Sequence, residues 1–206
     1  MRLFPNRFPA LCPDVPHGYS LAGHKRRVNG WGFHEVLIES PLHNASPALQ
    51  SPEEIQLTLL AFQHRGRMLM REPDLEYVVY YKNHGQAAGT SIAHPHCQVL
   101  GLPMIPNETR RRIEEARRAV DDTGSCSYCR MLAMELEDRE RLICENEDFV
   151  AFIPYAANSP YHLWVLPRRH NPSFLAVRPD ELAGLARLLR TVFGKLHRAL
   201  DDPDYN

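Results

Sequence analysis

The chain has 206 residues, 44% hydrophobic and 24% charged, with 24 Lys and Arg against 25 Asp and Glu for a formal net charge of −1. That composition excludes a disordered tail and a collagen-like fibre, and the even charge balance predicts no nucleic-acid partner. No run of about 18 apolar residues exists, and Met1-Arg2-Leu3-Phe4-Pro5 lacks the apolar stretch of a signal peptide, so a cytoplasmic protein with no membrane span is expected. The segment Phe33 to Glu39, rich in Val, Leu and Ile, reads as a strand that stops at Ser40-Pro41-Leu42-His43. Ser51-Pro52-Glu53-Glu54 then opens a helix, with Ser51 as cap and Glu54 completing a capping box. Ile55, Leu59, Phe62 and Leu69 mark its buried face, and Pro73 ends it. Tyr77 to Tyr81 is a strand, followed by a Gly/Ala/Asn loop from Asn83 to Gly89 and a second strand from His94 to Leu100. Residues 107–121 form a charged helix that reads as a solvated surface.

A second unit repeats this order. Phe149 to Ile153 and Tyr161 to Leu166 read as strands. A helix starts at Pro179-Asp180-Glu181, with Leu182, Leu185, Leu189, Val192, Leu196 and Leu200 on one face. His43 precedes Pro52-Glu53-Glu54 by nine residues, and His170 precedes Pro179-Asp180-Glu181 by nine. Each His follows a strand at the same offset, Val36 and Ile38 in one copy, Leu163 and Val165 in the other. Arg7-Phe8-Pro9-Ala10-Leu11 parallels Asp148-Phe149-Val150-Ala151-Phe152. Three matches in register imply a duplicated α+β unit, with residues 1–122 as the first copy and 123–206 as the second. Carried between copies, the offsets of His94 from His43 and of Cys126 and Cys129 from His170 fall past Asn206 or at the start of the chain. The sequence therefore reads as cut at both ends relative to a complete two-unit protein.

The chemistry centres on His94-x-His96-x-Gln98. On an extended strand these three share one face while Pro95 and Cys97 point away. Neutral imidazole is a nucleophile at phosphorus and a metal ligand. The glycine-bearing loop before the strand offers backbone N–H groups to phosphate oxygens, and Asn83 and Ser91 add neutral donors. An odd count of five cysteines (Cys12, Cys97, Cys126, Cys129 and Cys144) without a signal peptide argues for reduced thiols. In that setting Cys126-Ser127-Tyr128-Cys129 reads as a metal pair or redox motif, and the other three as free thiols. Arg168-Arg169 reads as surface charge, and Trp31 and Trp164 as packing.

The stretch Lys82 to Val99, with its His94-Pro95-His96-Cys97-Gln98 block, resembles the active-site region of galactose-1-phosphate uridylyltransferases, the transferase branch of the histidine-triad superfamily. Phe4 to Leu11, Ser40-Pro41-Leu42-His43 and Pro160 to His170 match other blocks of that family in order. The resemblance implies an α+β fold of two tandem histidine-triad-like units, antiparallel sheets with packed helices. It implies that His96 attacks the α-phosphorus of a UDP-sugar, leaving a nucleotidyl-histidine that a second sugar 1-phosphate resolves. Gln98 stands where hydrolytic relatives carry a third histidine. An amide can hydrogen-bond phosphoryl oxygens but is neither acid nor base near neutral pH, which favours transfer over hydrolysis. Asn6, Asn83, Gly89, Ser91 and Gln98 match nucleotide contacts. His43 and His94 match two ligands of a first Zn2+ site, and Cys126, Cys129 and His170 match three ligands of a second. An acidic ligand that some relatives carry after the His-Pro-His strand is replaced by Arg112. The resemblance also implies a homodimer.

The leading expectation is therefore transfer of UMP from UDP-glucose to galactose 1-phosphate. A phosphorylase of nucleoside-diphosphate sugars or dinucleotides, and a zinc- and nucleotide-binding remnant without turnover, are the alternatives.

Overall fold

In the computed structural model, which describes residues 1–206, the chain opens with β1 (Arg2–Pro5) and an exposed hairpin of β2 (Tyr19–Ala22) and β3 (Lys25–Val28). It continues through β4 (Phe33–Ile38), α1 (Pro52–Leu69), β5 (Tyr77–Tyr81) and β6 (His96–Leu102). Then come α2 (Asn107–Thr123), α3 (Ser127–Asp138), β7 (Leu142–Glu145), β8 (Phe149–Phe152), β9 (Trp164–Pro167), a 3-10 turn at Phe174–Ala176, and α4 (Pro179–Leu200). No helix is long and apolar enough to cross a membrane.

Two compact units emerge. The first comprises residues 1–46, 60–105 and 203–206; the second comprises 47–59 and 106–202. The division falls after Ile105, so α2, read from sequence as the end of the first copy, belongs with α3 in the second unit.

The first unit is built on an antiparallel sheet in the order β1-β4-β6-β5. Val36 pairs with Gln98 and Tyr81 pairs with Gln98 from the other side. Directly opposed residues share a face. One face therefore carries His34, Val36, His96, Gln98 and Tyr81, and the other carries Glu35, Leu37, Glu39, Cys97, Val99 and Tyr80. Helix α1 covers the second face: Phe62 packs on Tyr80 with ring centroids 4.8 Å apart, and Arg65 grips Glu35 through two bonds of 2.6 and 2.7 Å. The α1 start is the capping box expected from Ser51 and Glu54, with Ser51 N–H on the Glu54 carboxylate and Glu54 N–H on Ser51 Oγ. Ile55, Leu59, Phe62 and Leu69 are all buried, each contributing about 1.5–3 kcal/mol relative to exposure.

The second unit holds a three-stranded antiparallel sheet, β7-β8-β9. Its central strand, Phe149-Val150-Ala151-Phe152, is buried on both faces, which is why it reads as an unbroken apolar run. Phe149 and Ala151 pack on Leu182, Leu185 and Val192 of the face expected of α4, together with Ala186 and Leu188, while Leu189 and Leu196 are partly buried against the same cluster. Val150 and Phe152 face Leu132 of α3.

Three sequence expectations need correction. The strand expected from Tyr161 begins at Trp164, because Tyr161 sits in the left-handed region at φ 57. Arg7 to Leu11 is not a strand; the segment that pairs with β4 as β8 pairs with β9 is Arg2–Pro5. The strand expected from His94 begins at His96, since Pro95 has no N–H to give to the ladder.

Candidate functional site

The late start of β6 separates the His94-x-His96-x-Gln98 side chains into two groups. His94 lies outside the ladder, so the three do not form the single strip that a strand through 94–98 would make. Its Nε2 lies 2.8 Å from the Ser40 carbonyl oxygen and its Nδ1 lies 2.9 Å from His43 Nδ1, the rings meeting edge to face. A carbonyl fixes Nε2 as the protonated nitrogen of His94, which leaves a lone pair on Nδ1 aimed where His43 also points. Two imidazole nitrogens this close are within reach of one zinc ion at about 2.0–2.1 Å from each, and a carbonyl behind the ring is the usual orienting partner of a ligating histidine. The residues fit half of a tetrahedral set.

His96 is the first residue of β6 and is 4% exposed. Its Nδ1 lies 2.9 Å from the His94 carbonyl oxygen. A carbonyl can only accept, so Nδ1 carries the proton and Nε2 holds the lone pair. Nε2 has no hydrogen-bond partner within the chain. Beneath the strand, Lys82 donates to the His96 carbonyl oxygen at 3.2 Å and to Glu39, and the Cys97 thiol donates to the same Glu39 carboxylate at 2.9 Å. Burial, with Glu39 beside it, pushes the Cys97 thiol well above its ordinary value, so it stays protonated. This agrees with the expectation of an inert free thiol.

Gln98 anchors the second group. Its Oε1 is 2.7 Å from His34 Nε2, 2.9 Å from the Tyr81 hydroxyl and 3.4 Å from Asn6 Nδ2. The expected nucleotide contact Asn6 thus stands beside Gln98. His34 and Tyr81 were not read as site residues. The signal was one histidine inside a Val/Leu/Ile strand, in register to meet Gln98 across the sheet.

The loop 83–89 departs from the expected phosphate cradle. The N–H groups of His84, Ala87, Gly89 and Thr90 already donate to Tyr205 O, the Asp204 carboxylate, Gln86 O and Gly85 O. Asn206 donates to Asn83 Oδ1 at 3.1 Å and to Ala88 O at 2.9 Å, and the His84 and Tyr205 rings stack with centroids 4.8 Å apart. Gly85 turns at φ +86, and any Cβ there would strike the Asp204 carboxylate. What remains for a ligand is the N–H groups of Gly85, Gln86 and Ala88 and side-chain chemistry at Asn83 and the exposed Ser91; Gly89 is exposed and also has positive φ.

In the second unit Cys126 caps α3, Cys129 lies in its first turn, and His170 follows β9. One donor atom from each lies within 4.8 Å of the others, with Cys129 Sγ 3.1 Å from His170 Nδ1. Burial and the adjacent Cys126 push the Cys129 thiol up. Two thiols and an imidazole at this spacing are a soft donor set suited to zinc, with one tetrahedral position left for a further ligand. They border a groove of about 630 Å³ between α2, α3 and the segment after β9. Arg168 and Arg169 are held by Glu145 and Glu181, in line with structural charge. Trp164 packs edge-on against Phe152, and Trp31 against Phe33.

A family model described as galactose-1-phosphate uridyl transferase, N-terminal domain, matches residues 1–106. ADP-glucose phosphorylase of Arabidopsis thaliana is 30% identical over 208 residues, covering 100% of this chain and 58% of its own length. Galactose-1-phosphate uridylyltransferase of Thermotoga maritima is 28% identical over 199 residues, covering 96% of this chain and 62% of its own. Among solved structures, the Arabidopsis ADP-glucose phosphorylase with bound ADP-glucose superposes with a TM-score of 0.85 at 27% identity, covering 98% of this chain and 62% of that one. A uridylyltransferase structure superposes with a TM-score of 0.90 at 26% identity over 98% of this chain and 63% of that one. The chain thus spans about three fifths of the length of these relatives.

Proposed function

Because this chain belongs to the galactose-1-phosphate uridyl transferase family through residues 1–106, we propose that it carries the nucleotidyl-transfer centre of an enzyme acting on nucleoside-diphosphate sugars. The observation that carries this reading is the His96 ring, locked by the His94 carbonyl with its Nε2 lone pair unpaired. That lone pair attacks the α-phosphorus; the bond from phosphorus to the bridging oxygen breaks, and the sugar 1-phosphate leaves with the electron pair. The imidazole keeps its Nδ1 proton on the His94 carbonyl, which steadies the positive charge of the intermediate. An acceptor phosphate oxygen then attacks the same phosphorus, the P–N bond breaks, and Nε2 recovers its lone pair.

No proton need move in either half-reaction, because both leaving and entering groups are phosphates. An amide at position 98 then suffices, since it can donate to a phosphoryl oxygen but cannot deprotonate water. Asn6, Asn83, Gly89 and Ser91 border the nucleotide in this reading. His43 and His94 on one side, and Cys126, Cys129 and His170 in the second unit, would each hold a zinc ion whose contribution is to fix ligand loops and ring orientation.

The acceptor divides two readings. Transfer of UMP from UDP-glucose to galactose 1-phosphate is supported by the uridylyltransferase relatives. Phosphorolysis, with inorganic phosphate as acceptor, is supported by the 30% identity to the plant ADP-glucose phosphorylase across the whole of this chain. The test is to incubate the protein with UDP-glucose or ADP-glucose labelled at the α-phosphate and isolate the adduct. Galactose 1-phosphate and inorganic phosphate are then offered separately. Release of label by only one acceptor decides between them, and absence of any adduct with either donor overturns both. Homodimerisation is part of the same proposal, and sedimentation velocity tests it.

A further inference from the structure

We propose that His34 is a positioning residue which, with Tyr81, forces the Gln98 amide to present its nitrogen to the reacting phosphoryl group; the catalytic part of this rests on the nucleotidyl-transfer reading above. The Ala10 backbone N–H donates to His34 Nδ1 at 2.9 Å, so Nδ1 must hold a lone pair. The one proton of the neutral ring is then on Nε2, which lies 2.7 Å from Gln98 Oε1 and can only donate to it. The orientation of Asn6 is fixed separately: its Oδ1 accepts the Phe8 N–H at 2.9 Å, which leaves its Nδ2 3.0 Å from His34 Nε2 and 3.4 Å from Gln98 Oε1. Tyr81 supplies the second donor at 2.9 Å, and burial raises its phenol above the ordinary value, so the hydroxyl keeps its proton.

Two donors of independent origin, His34 Nε2–H and the Tyr81 hydroxyl, converge on one atom. A flipped Gln98 would set its NH2 group against the His34 N–H, two donors facing each other 2.7 Å apart. Only one amide orientation satisfies the cluster. It leaves Gln98 Nε2, which has no hydrogen bond within the chain, as a pure donor on the sheet face that bears His96. An unconstrained glutamine could offer either its oxygen or its nitrogen, and an oxygen facing a phosphoryl group repels it. His34 thus converts an ambiguous side chain into a fixed electrostatic contact for the charge carried by the phosphoryl oxygens in the transition state.

Nitrogen-15 imidazole spectroscopy on the intact protein tests the first half. His34 is expected to show an unprotonated Nδ1 and a protonated Nε2 through the neutral range; the reverse tautomer or a doubly protonated ring overturns the proposal. Kinetics with the donor nucleotide sugar that labels the protein test the second half. His34→Phe is expected to lower kcat about tenfold to a hundredfold, with KM for the nucleotide sugar changed less than threefold. His34→Gln, which keeps an amide donor, is expected to recover most of kcat. Tyr81→Phe removes one hydroxyl without altering ring packing, and is expected to lower kcat several-fold should His34→Phe fail to fold. Loss confined to KM, or His34→Gln no better than His34→Phe, overturns the positioning role. If the wild-type protein forms no adduct at all, the functional reading and the catalytic half fall together, while the spectra still decide the amide orientation.

Discussion

The Lys82 ammonium lies 2.5 Å from a carboxylate oxygen of Glu39, and the Glu39 side chain is only 2% exposed. The pair sits on the α1-covered face of the sheet, directly behind the strand that begins with His96. Removing one member of a buried ion pair leaves an uncompensated charge, which costs about 3–5 kcal/mol. Lys82→Met is therefore expected to destabilise the protein by that amount in urea denaturation. Lys82→Met combined with Glu39→Gln should recover much of the loss. A single variant within about 1 kcal/mol of wild type, the scale of an exposed pair, would contradict a buried structural role.

His96→Gly removes the proposed nucleophile and little else, since the ring makes only one hydrogen bond. The expected result is no nucleotidyl adduct by intact-protein mass spectrometry, with nucleotide binding retained in part by calorimetry. Adduct formation at the wild-type level in this variant would remove His96 from the mechanism.

Gln98→His places a proton-transferring group where an amide now stands. Hydrolysis requires deprotonation of water, whereas transfer between phosphates does not. The ratio of hydrolysed to transferred label is expected to rise. An unchanged ratio would sink the role assigned to the amide.

The Cys126, Cys129 and His170 cluster predicts a metal in the second unit that does not depend on the catalytic strand. Cys126→Ser is expected to reduce bound zinc, measured by elemental analysis, and to lower the melting temperature. His96→Gly should leave the zinc content unchanged. Equal zinc content in Cys126→Ser and wild type would argue against ligation.

Glu181 at the start of α4 provides a pH-dependent element. Two hydrogen bonds from Arg169, then the Arg178 backbone N–H, lower its carboxyl from an ordinary value of 4.5 to about 2. A carboxyl whose folded value is depressed contributes fully above its unfolded value, and that contribution is lost as pH falls toward 2. Wild type and Glu181→Gln should therefore differ most in stability above pH 4.5 and converge as pH approaches 2. A stability difference that stays constant across that window would show that the charge of Glu181 is not the source.

The elements most legible in the sequence are those governed by local rules. The α1 capping box, the Tyr77–Tyr81 strand and the apolar stripe of α4 all depend on neighbours a few residues away, and each is present. The β2–β3 hairpin was missed because Tyr19–Ala22 and Lys25–Val28 are exposed and bury no side chain that would impose a two-residue period. In the site, the Cys126 and Cys129 pair was legible from its spacing and His170 only from the family resemblance, and the structure gathers all three. The His34 role could not be read because it depends on a proton placed by Ala10, a backbone group with no side-chain signature. The strip through His94, His96 and Gln98 failed because alternation was assumed across Pro95, where the ladder has not yet begun.

The loop at 83–89 is completed by residues 117 to 123 positions downstream, through the Asp204 and Asn206 contacts. Closing so long a span is entropically costly and is compensated only when the surrounding strands are in place. During refolding this loop should therefore be the last part of the first unit to gain protection from hydrogen exchange, well after β4 and β6 have paired. The order of assembly thus leaves the loop beside the proposed nucleophile unfinished until the rest of its sheet is secure.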